Sequence, residues 1–171
     1  AYDTAPRTWR HLNFFQYKTC IHADLPRIQC EKHGVETVQV PWAREGSGFT
    51  LLFESRIVEL SKHLPVAVIA RMVEEHDTRL WRFIRHYVEK AGEAEDYAGV
   101  ANIGIDETGK KGHKYITVVA DLAQRKVIFV TEGKDSTTVR RFAADFEAHS
   151  GKCEKVHLVT CDMSLGFRKG I

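Results

Sequence analysis

The chain has 171 residues, of which 43% are hydrophobic and 28% charged, and this composition is typical of an ordinary globular protein. Its formal net charge is only +2, so any contact with nucleic acid must come from a local basic patch. The sequence contains no run of 18 apolar residues, no signal-peptide pattern and only four cysteines. We therefore expect no membrane anchor, no export, and reduced thiols in a cytoplasm.

Residues 1–48 are predicted to form short strands and turns, because "HLNFFQYKTCIHADLPRIQC" is rich in β-forming residues. Within this segment, "CEKHG" places Cys30 and His33 at metal-ligand spacing, with Gly34 permitting a sharp turn. That spacing predicts half of a tetrahedral zinc site. Cys20 and His22 could supply the other half from one face of a strand. The alternative, a buried Cys30 and an exposed turn histidine, stays open.

Residues 49–92 are predicted to be helical and to form three helices. The apolar positions that we expect to face the core are Leu52, Phe53, Ile57 and Leu60 on the first helix, Ile69, Met72 and Val73 on the second, and Leu80, Ile84, Tyr87 and Val88 on the third. Pro65 suits the first turn of the second helix. Asp77 or Thr78 can cap the third.

Basic residues recur on another face of the third helix, at Arg79, Arg82, His86 and Lys90. A short helix, a tight turn and a basic helix form the helix-turn-helix arrangement, in which the second helix enters the major groove of DNA. The competing interpretation is a helical linker with a solvated basic face. The sequence alone does not decide between them.

Residues 93–99 are predicted to form a polar hinge, and residues 100–171 to form three strands, a helix and a fourth strand. Asp135 or Ser136 can cap the helix, whose apolar face includes Val139, Phe142 and Phe146. A hairpin extends the sheet to one side of the first strand. The crossover helix can then carry the fourth strand, "KVHLVTCD", to the other side, parallel to the first. We expect that strand to be buried on both faces or nearly so. The resulting reversal of strand order is where open α/β sheets bind ligands.

Asp106 is expected to end the first strand, and Asp162 to end the fourth. Neighbouring strands lie about 4.8 Å apart, so these two carboxylates can share a divalent metal pair. We expect Asp121 at the opposite edge of the sheet, Glu132 two strands away and Glu107 on the other face. The alternative to metal binding is that both aspartates have only a structural role, at the start of turns.

Lysines follow Asp106 in a loop that contains glycines at positions 109 and 112. The loop residues are Lys110, Lys111, His113 and Lys114. A basic loop beside the metal ions could hold a phosphate backbone. A solvated hairpin loop explains the same residues equally well.

The stretches "TWRHLNFFQ", "VPWAREGSGFT", "IGIDETGKKGHKYITVVADL", "FVTEGKD" and "CDMSLGFRKG" resemble insertion-sequence transposases of the ISL3 family, in order and in spacing. The resemblance implies a DDE transposase with a ribonuclease-H-like core, preceded by a zinc-binding segment and a helix-turn-helix. The family's first two catalytic aspartates map onto Asp106 and Asp162, with Mg²⁺ or Mn²⁺ as cofactor. Its third acid, a downstream glutamate, has no counterpart here. In the family, a cysteine pair upstream of the matched region usually completes the zinc site.

The predicted fold is therefore mixed α/β, with four parts: a partial zinc-ribbon-like β segment over 1–48, a helix-turn-helix over 49–92, a hinge over 93–99 and the first part of a catalytic core over 100–171. We expect a fragment incomplete at both ends and inactive alone. The implied partners are double-stranded DNA, at terminal inverted repeats and target sites, and further copies of the chain, in a prokaryotic, nucleoid-associated setting. A truncated, non-catalytic regulator that occupies transposon ends is the competing function.

Overall fold

The computed structural model describes residues 2–112 and 114–162, together with Phe167 and Gly170. The chain divides into two compact units, Ala1–Lys90 and Ala91–Ile171. The predicted mixed α/β class is confirmed, since an antiparallel sheet, three helices and a mixed sheet with a crossover helix follow in the expected order. Within the described residues, no helix is both long enough and apolar enough to cross a membrane.

The first unit begins with a three-stranded antiparallel sheet, whose strands are β1 (Asp3–Arg10), β2 (Cys20–Cys30) and β3 (Gly34–Thr37) in that spatial order. Cys30 pairs with Gly34 across the tight turn between β2 and β3. Gly34 has a φ of +79°, a backbone conformation that favours glycine. The sheet buries Trp9 and Leu25 against Ala43. A small apolar cluster therefore stabilises this β segment.

Three helices follow the sheet: α1 (Leu51–Ser61), α2 (Val66–Val73) and α3 (Asp77–Glu93). The Thr50 side chain caps α1 by accepting the N–H of Phe53. Asp77 is the first residue of α3, where its carboxylate accepts the N–H of Thr78, and the carbonyl oxygen of His76 accepts the N–H of Leu80. Pro65 occupies the N-cap position of α2, one residue before the predicted first turn.

Three residues predicted to face the helical core are exposed instead. Leu52, Met72 and Val88 are 62%, 57% and 64% exposed. At 100° per residue, Leu52 lies about 100° around α1 from Phe53, Met72 about 60° around α2 from Ile69, and Val88 about 40° around α3 from Ile84. On α3, Phe83 is only 2% exposed although the predicted core face did not include it.

The second unit contains a four-stranded mixed sheet in the spatial order β6–β5–β4–β7. Its elements are β4 (Asn102–Lys110), β5 (Lys114–Asp121), β6 (Lys126–Glu132), α4 (Ser136–Ala148) and β7 (Leu158–Cys161). β4 is antiparallel to β5 and parallel to β7, which confirms the predicted reversal of strand order. Asp135 caps α4 by accepting the N–H groups of Thr137 and Thr138.

Two strand assignments in this unit were wrong. Asp106 does not end the first strand: β4 continues to Lys110, because its second half pairs with β5 as far as Lys114. β7 is not buried on both faces. It pairs on one side with β4, and its side chains alternate between exposed and half-buried, as in a strand at the edge of a sheet.

Candidate catalytic and DNA-binding sites

Two aspartates, Asp106 and Asp162, occupy equivalent positions on adjacent parallel segments of the sheet. Ile105 of β4 pairs with Cys161 of β7, and Asp106 and Asp162 are the next residues of the two segments. Paired positions on neighbouring strands lie about 4.8 Å apart. Both aspartates are exposed. The structure thus brings together the two acids that the sequence singled out, although Asp106 lies within its strand, where it also pairs with Val118.

Asp106 and Asp162 both line an open depression of about 480 Å³. Gly104, Ala120 and Leu122 line it as well, and Gly104 pairs with Ala120. A Cβ atom on Gly104 would come within 2.8 Å of Leu122 Cδ2. The absence of a side chain on Gly104 therefore lets Leu122 pack against β4 at this depression.

The opposite face of the sheet is packed. Ile103 and Ile105 alternate with Gly104 and Asp106 along β4, and they are buried with Phe142 of α4 in the core of the second unit. Because alternate residues of a strand face opposite sides, this packing directs Asp106 away from α4. The apolar core thus fixes the side of the sheet on which Asp106 lies.

The other acids of the sheet have different positions. Asp121 is buried and accepts the N–H groups of Ala123 and Gln124, so it shapes the turn that follows β5. Glu107 lies 3.8 Å from Lys134 Nζ, on the face opposite to Asp106. Glu132 is on β6, where it pairs with Ile116. Of these acids, none lines the depression that holds Asp106 and Asp162.

The donor set at the depression suits a hard divalent cation. Carboxylate oxygens are the ligands that Mg²⁺ prefers, and Mg²⁺ commonly uses one or two of them together with water. Asp106 Oδ1 accepts the N–H of Glu107 at 2.8 Å, which restrains the side chain. Among residues 2–112 and 114–162, no group of three or more His, Cys, Asp or Glu side chains is arranged to hold a metal. The described residues therefore provide two carboxylate ligands at this depression, those of Asp106 and Asp162.

The predicted basic loop is a tight hairpin turn and lies farther from Asp106 than expected. Lys110 belongs to β4 and pairs with Lys114 of β5. The strand rises about 3.3 Å per residue, so Lys110 is roughly 13 Å along β4 from Asp106. Lys111 and Lys114 are exposed, while His113 lies outside the described residues. The lysines stay candidates for contacting phosphates at a distance from the two aspartates.

Cys30 and His33 are close enough to share a zinc ion. Cys30 Sγ lies 3.6 Å from His33 Nδ1. Zinc–sulfur and zinc–nitrogen distances of about 2.3 and 2.05 Å at a tetrahedral angle give a ligand separation of about 3.6 Å. The predicted contribution of Cys20 and His22 was wrong. Cys20 and Cys30 are the two ends of β2, and ten strand residues span roughly 33 Å.

The helix-turn-helix is built from α2, a turn over residues 74–76, and α3. Glu74 adopts a left-handed conformation, with a φ of +53°, which ends α2 and redirects the chain. Arg79 on the first turn of α3 forms an ion pair with Glu75, and its guanidinium lies 4.6 Å from the centre of the Phe49 ring. These contacts stabilise the N-terminal end of α3 against the core.

The basic residues of α3 do not all face solvent equally. Arg82 and Lys90 are exposed, as predicted for a DNA-contacting face. Arg79 and His86 are half-buried, since Arg79 pairs with Glu75 and His86 packs on Tyr87. They stay candidates, but their contacts also stabilise the helix.

Two further residues lie on the outer face of α3, of which Arg85 was absent from the predicted basic face and Trp81 was expected to pack in the core or between modules. Arg85 is exposed, and Trp81 is 50% exposed. At 100° per residue, Arg85 lies almost opposite the buried Leu80 and Phe83, on the side that Arg82 also occupies. Adding the buried Phe83 to the helical wheel would have placed Arg85 at the centre of the outer face.

Three family models match consecutive parts of this chain. A zinc-finger of transposase IS204/IS1001/IS1096/IS1165 matches residues 1–33, the helix-turn-helix domain of transposase family ISL3 matches residues 38–88, and the ISL3 DDE transposase model matches residues 103–171. The order agrees with the β segment, the three helices and the mixed sheet. The depression with Asp106 and Asp162 lies within the third match.

Curated relatives point to the same family. The transposase for insertion sequence element IS1557 of Mycobacterium tuberculosis is 31% identical over 142 residues, which is 80% of this chain and 31% of the relative. The transposase for insertion sequence element IS1001 of Bordetella parapertussis is 23% identical over 168 residues, which is 97% of this chain and 41% of the relative. The chain thus spans less than half the length of these relatives.

No solved structure matches the chain. The family assignment therefore depends on the sequence matches, and the order of the structural elements agrees with them. On these grounds the chain belongs to the ISL3 family of insertion-sequence transposases.

Proposed function

We propose that this chain carries the DNA-binding segments and the first part of the catalytic core of a transposase that cuts and rejoins the ends of its insertion sequence. The observation that supports this most directly is the register of β4 and β7, in which Asp106 and Asp162 follow the paired residues Ile105 and Cys161. The family match over residues 103–171 supports the same interpretation.

The proposed parts keep the boundaries derived from the sequence. Residues 1–48 bind zinc and support the helix-turn-helix, residues 49–92 bind duplex DNA at the terminal inverted repeats, residues 93–99 connect, and residues 100–171 supply the first two catalytic acids. Target DNA is the second nucleic-acid partner. We further propose that the protein acts in the bacterial cytoplasm, on the nucleoid, as a homodimer or higher oligomer on DNA.

The chemistry assigned to this chain is the binding of a divalent cation beside the scissile phosphate. Asp106 and Asp162, which both line the open depression, would hold Mg²⁺ or Mn²⁺ through their carboxylate oxygens. When bound, the metal supplies activation of the attacking oxygen and stabilisation of the leaving oxygen. The two carboxylates are fewer than the three acids of the family, so the 171-residue chain should bind the ion weakly and should not cleave DNA.

A metal-binding and cleavage experiment tests this assignment. Asp106→Asn and Asp162→Asn should each abolish Mn²⁺ binding to the chain, measured by electron paramagnetic resonance, while circular dichroism and the gel shift of duplex DNA stay unchanged. In the full-length transposase, each variant should stop end cleavage. Glu107→Gln is the matched control, since Glu107 neighbours Asp106 but lies on the other face with Lys134. Cleavage by either Asn variant at near wild-type rate would contradict the assignment.

A further inference from the structure

An aromatic turn projects from the loop between β1 and β2. Phe14 and Tyr17 exchange two backbone hydrogen bonds of 3.0 Å, and Phe15 between them has a φ of +52°. The side chains of Phe14, Phe15 and Tyr17 are 68%, 80% and 66% exposed. We call residues 14–17 the aromatic tip. Three large aromatic side chains on one ordered turn add little to the core, and such exposed apolar groups mark interaction sites.

Hydrogen bonds and ion pairs connect the base of this turn to the helix-turn-helix. Arg10 is 4% exposed, and its guanidinium donates to the carbonyl oxygen of Thr19 at 3.2 Å and lies 3.5 Å from the carboxylate of Glu75. Lys18 Nζ donates to the carbonyl oxygen of Glu74 at 2.9 Å and lies 3.2 Å from its carboxylate. The position of the aromatic tip is therefore fixed relative to the turn that precedes α3.

These contacts also neutralise the negative charges of the acidic side chains near the tip. Glu74 is paired with Lys18, and Glu75 is paired with both Arg10 and Arg79. Residues 10–19 contain no acidic side chain. A surface with amide side chains and exposed aromatic rings, whose neighbouring acidic groups are paired, suits a nucleic acid, because bases stack on aromatic rings.

We propose that the aromatic tip contacts nucleobases of the same DNA that α3 binds, by stacking on a base exposed where the duplex is distorted. The inference rests on the proposed DNA binding by the helix-turn-helix. The N-terminal residues of a recognition helix face the DNA, and the turn that holds the tip lies directly before them. Inserted or stacked aromatic side chains are a known way to unstack a base step.

The test uses the whole chain and a duplex that the wild-type chain selects from a random 40-base-pair library. Phe14→Ser, Phe15→Ser and Tyr17→Ser together should lower affinity about tenfold or more and should remove permanganate reactivity of unstacked thymines. The dependence of affinity on salt should not change, since no charge is removed. Tyr2→Ser is the matched control, because Tyr2 is a 59% exposed aromatic residue before β1.

A second triple variant, with Leu at positions 14, 15 and 17, keeps the apolar surface and removes the rings. This leucine variant should bind DNA as weakly as the serine variant. If circular dichroism shows that the serine variant does not fold, the affinity of the leucine variant is the test of the inference. Wild-type affinity and permanganate reactivity in the folded leucine variant would overturn the inference. The inference would also be overturned if the wild-type chain sediments as a dimer and the triple variants as monomers, because the tip would then be a self-association surface. A wild-type chain that selects no duplex would contradict the proposed function itself.

Discussion

The hydroxyl of Tyr87 donates a hydrogen bond of 2.8 Å to the carboxylate of Glu54, whose side chain is fully buried. The bond joins α3 to α1. Arg44 lies 3.1 Å from the same carboxylate, and the Ser47 hydroxyl donates to it at 2.5 Å. A buried carboxylate with this set of donors connects α3 to α1 and to the loop before α1, and it therefore stabilises the helix that we assign to DNA.

Glu54→Ala should lower the free energy of unfolding of the first unit by about 3 kcal/mol, because it leaves Arg44 without its buried partner. Tyr87→Phe removes one hydrogen bond to a charged group and should cost about 1.5 kcal/mol. All three tryptophans lie in the first unit, so urea unfolding followed by tryptophan fluorescence reports on it. Glu59→Ala is the control, since its side chain is 55% exposed. Equal losses for Glu54→Ala and Glu59→Ala would contradict the prediction.

Alkaline pH should destabilise the same unit through Tyr87. Burial, followed by the hydrogen bond to Glu54 and its negative charge, raises the pKa of Tyr87 above its ordinary value. The unfolded chain loses this proton from about pH 10, while the folded chain keeps it. Stability should therefore fall as pH rises from about 10 towards the higher pKa of the folded state. Tyr87→Phe should show a smaller decrease than Tyr2→Phe, and identical pH profiles would refute this cause.

DNA affinity should depend on the outer face of α3. Arg82→Ala with Arg85→Ala should weaken duplex binding and reduce the slope of log K against log salt by about 1.8, or 0.9 for each lost phosphate contact. Arg79→Ala should mainly reduce stability, because Arg79 is paired with Glu75. Arg56→Ala removes an exposed cation from α1 and should leave the slope unchanged. Fluorescence anisotropy at several salt concentrations measures all three. An unchanged slope for the double variant would exclude this face.

Metal binding at the N-terminal segment should depend on Cys30 and His33. Titration with Co²⁺ should give a thiolate-to-cobalt absorption band that Cys30→Ser abolishes and His33→Ala weakens, since the two atoms lie at the separation that a tetrahedral ion requires. Cys20→Ser should keep the band, because Cys20 is at the far end of β2. A band that survives Cys30→Ser would assign the thiolate to another cysteine.

The arrangement of the second unit was predicted well because short-range rules constrain it. The turn at residues 123–126 predicts a hairpin, and a strand–helix–strand connection is normally parallel, so the sequence predicts the strand directions. It allows the fourth strand on the free side of the first, and the structure has it there, in the order β6–β5–β4–β7. Strand ends were less predictable. Whether β4 stops at Asp106 or continues to Lys110 depends on how far β5 pairs with it, and local sequence does not encode that length.

The buried face of α3 was also only partly predictable from the local sequence. Leu80 and Ile84 were correctly placed in the core, but Val88 is exposed, and Phe83, which was not assigned to the core, is buried. Hydrophobicity identifies which residues could be buried. The surrounding packing decides which of them are, and only that choice places Arg85 on the outer face.

The sequence by itself determined the class of fold, the order of its parts and the two aspartates, because periodicity, turn residues and motif spacing are local properties of the chain. The tertiary structure decided what depends on distance between separate segments. It set Asp106 beside Asp162 through the register of β4 and β7, and it separated Cys20 from Cys30 by the length of β2. It also fastened residues 14–17 to the turn before α3 through Arg10 and Lys18. Pairing and packing between distant segments fix these relationships, and no local pattern specifies them.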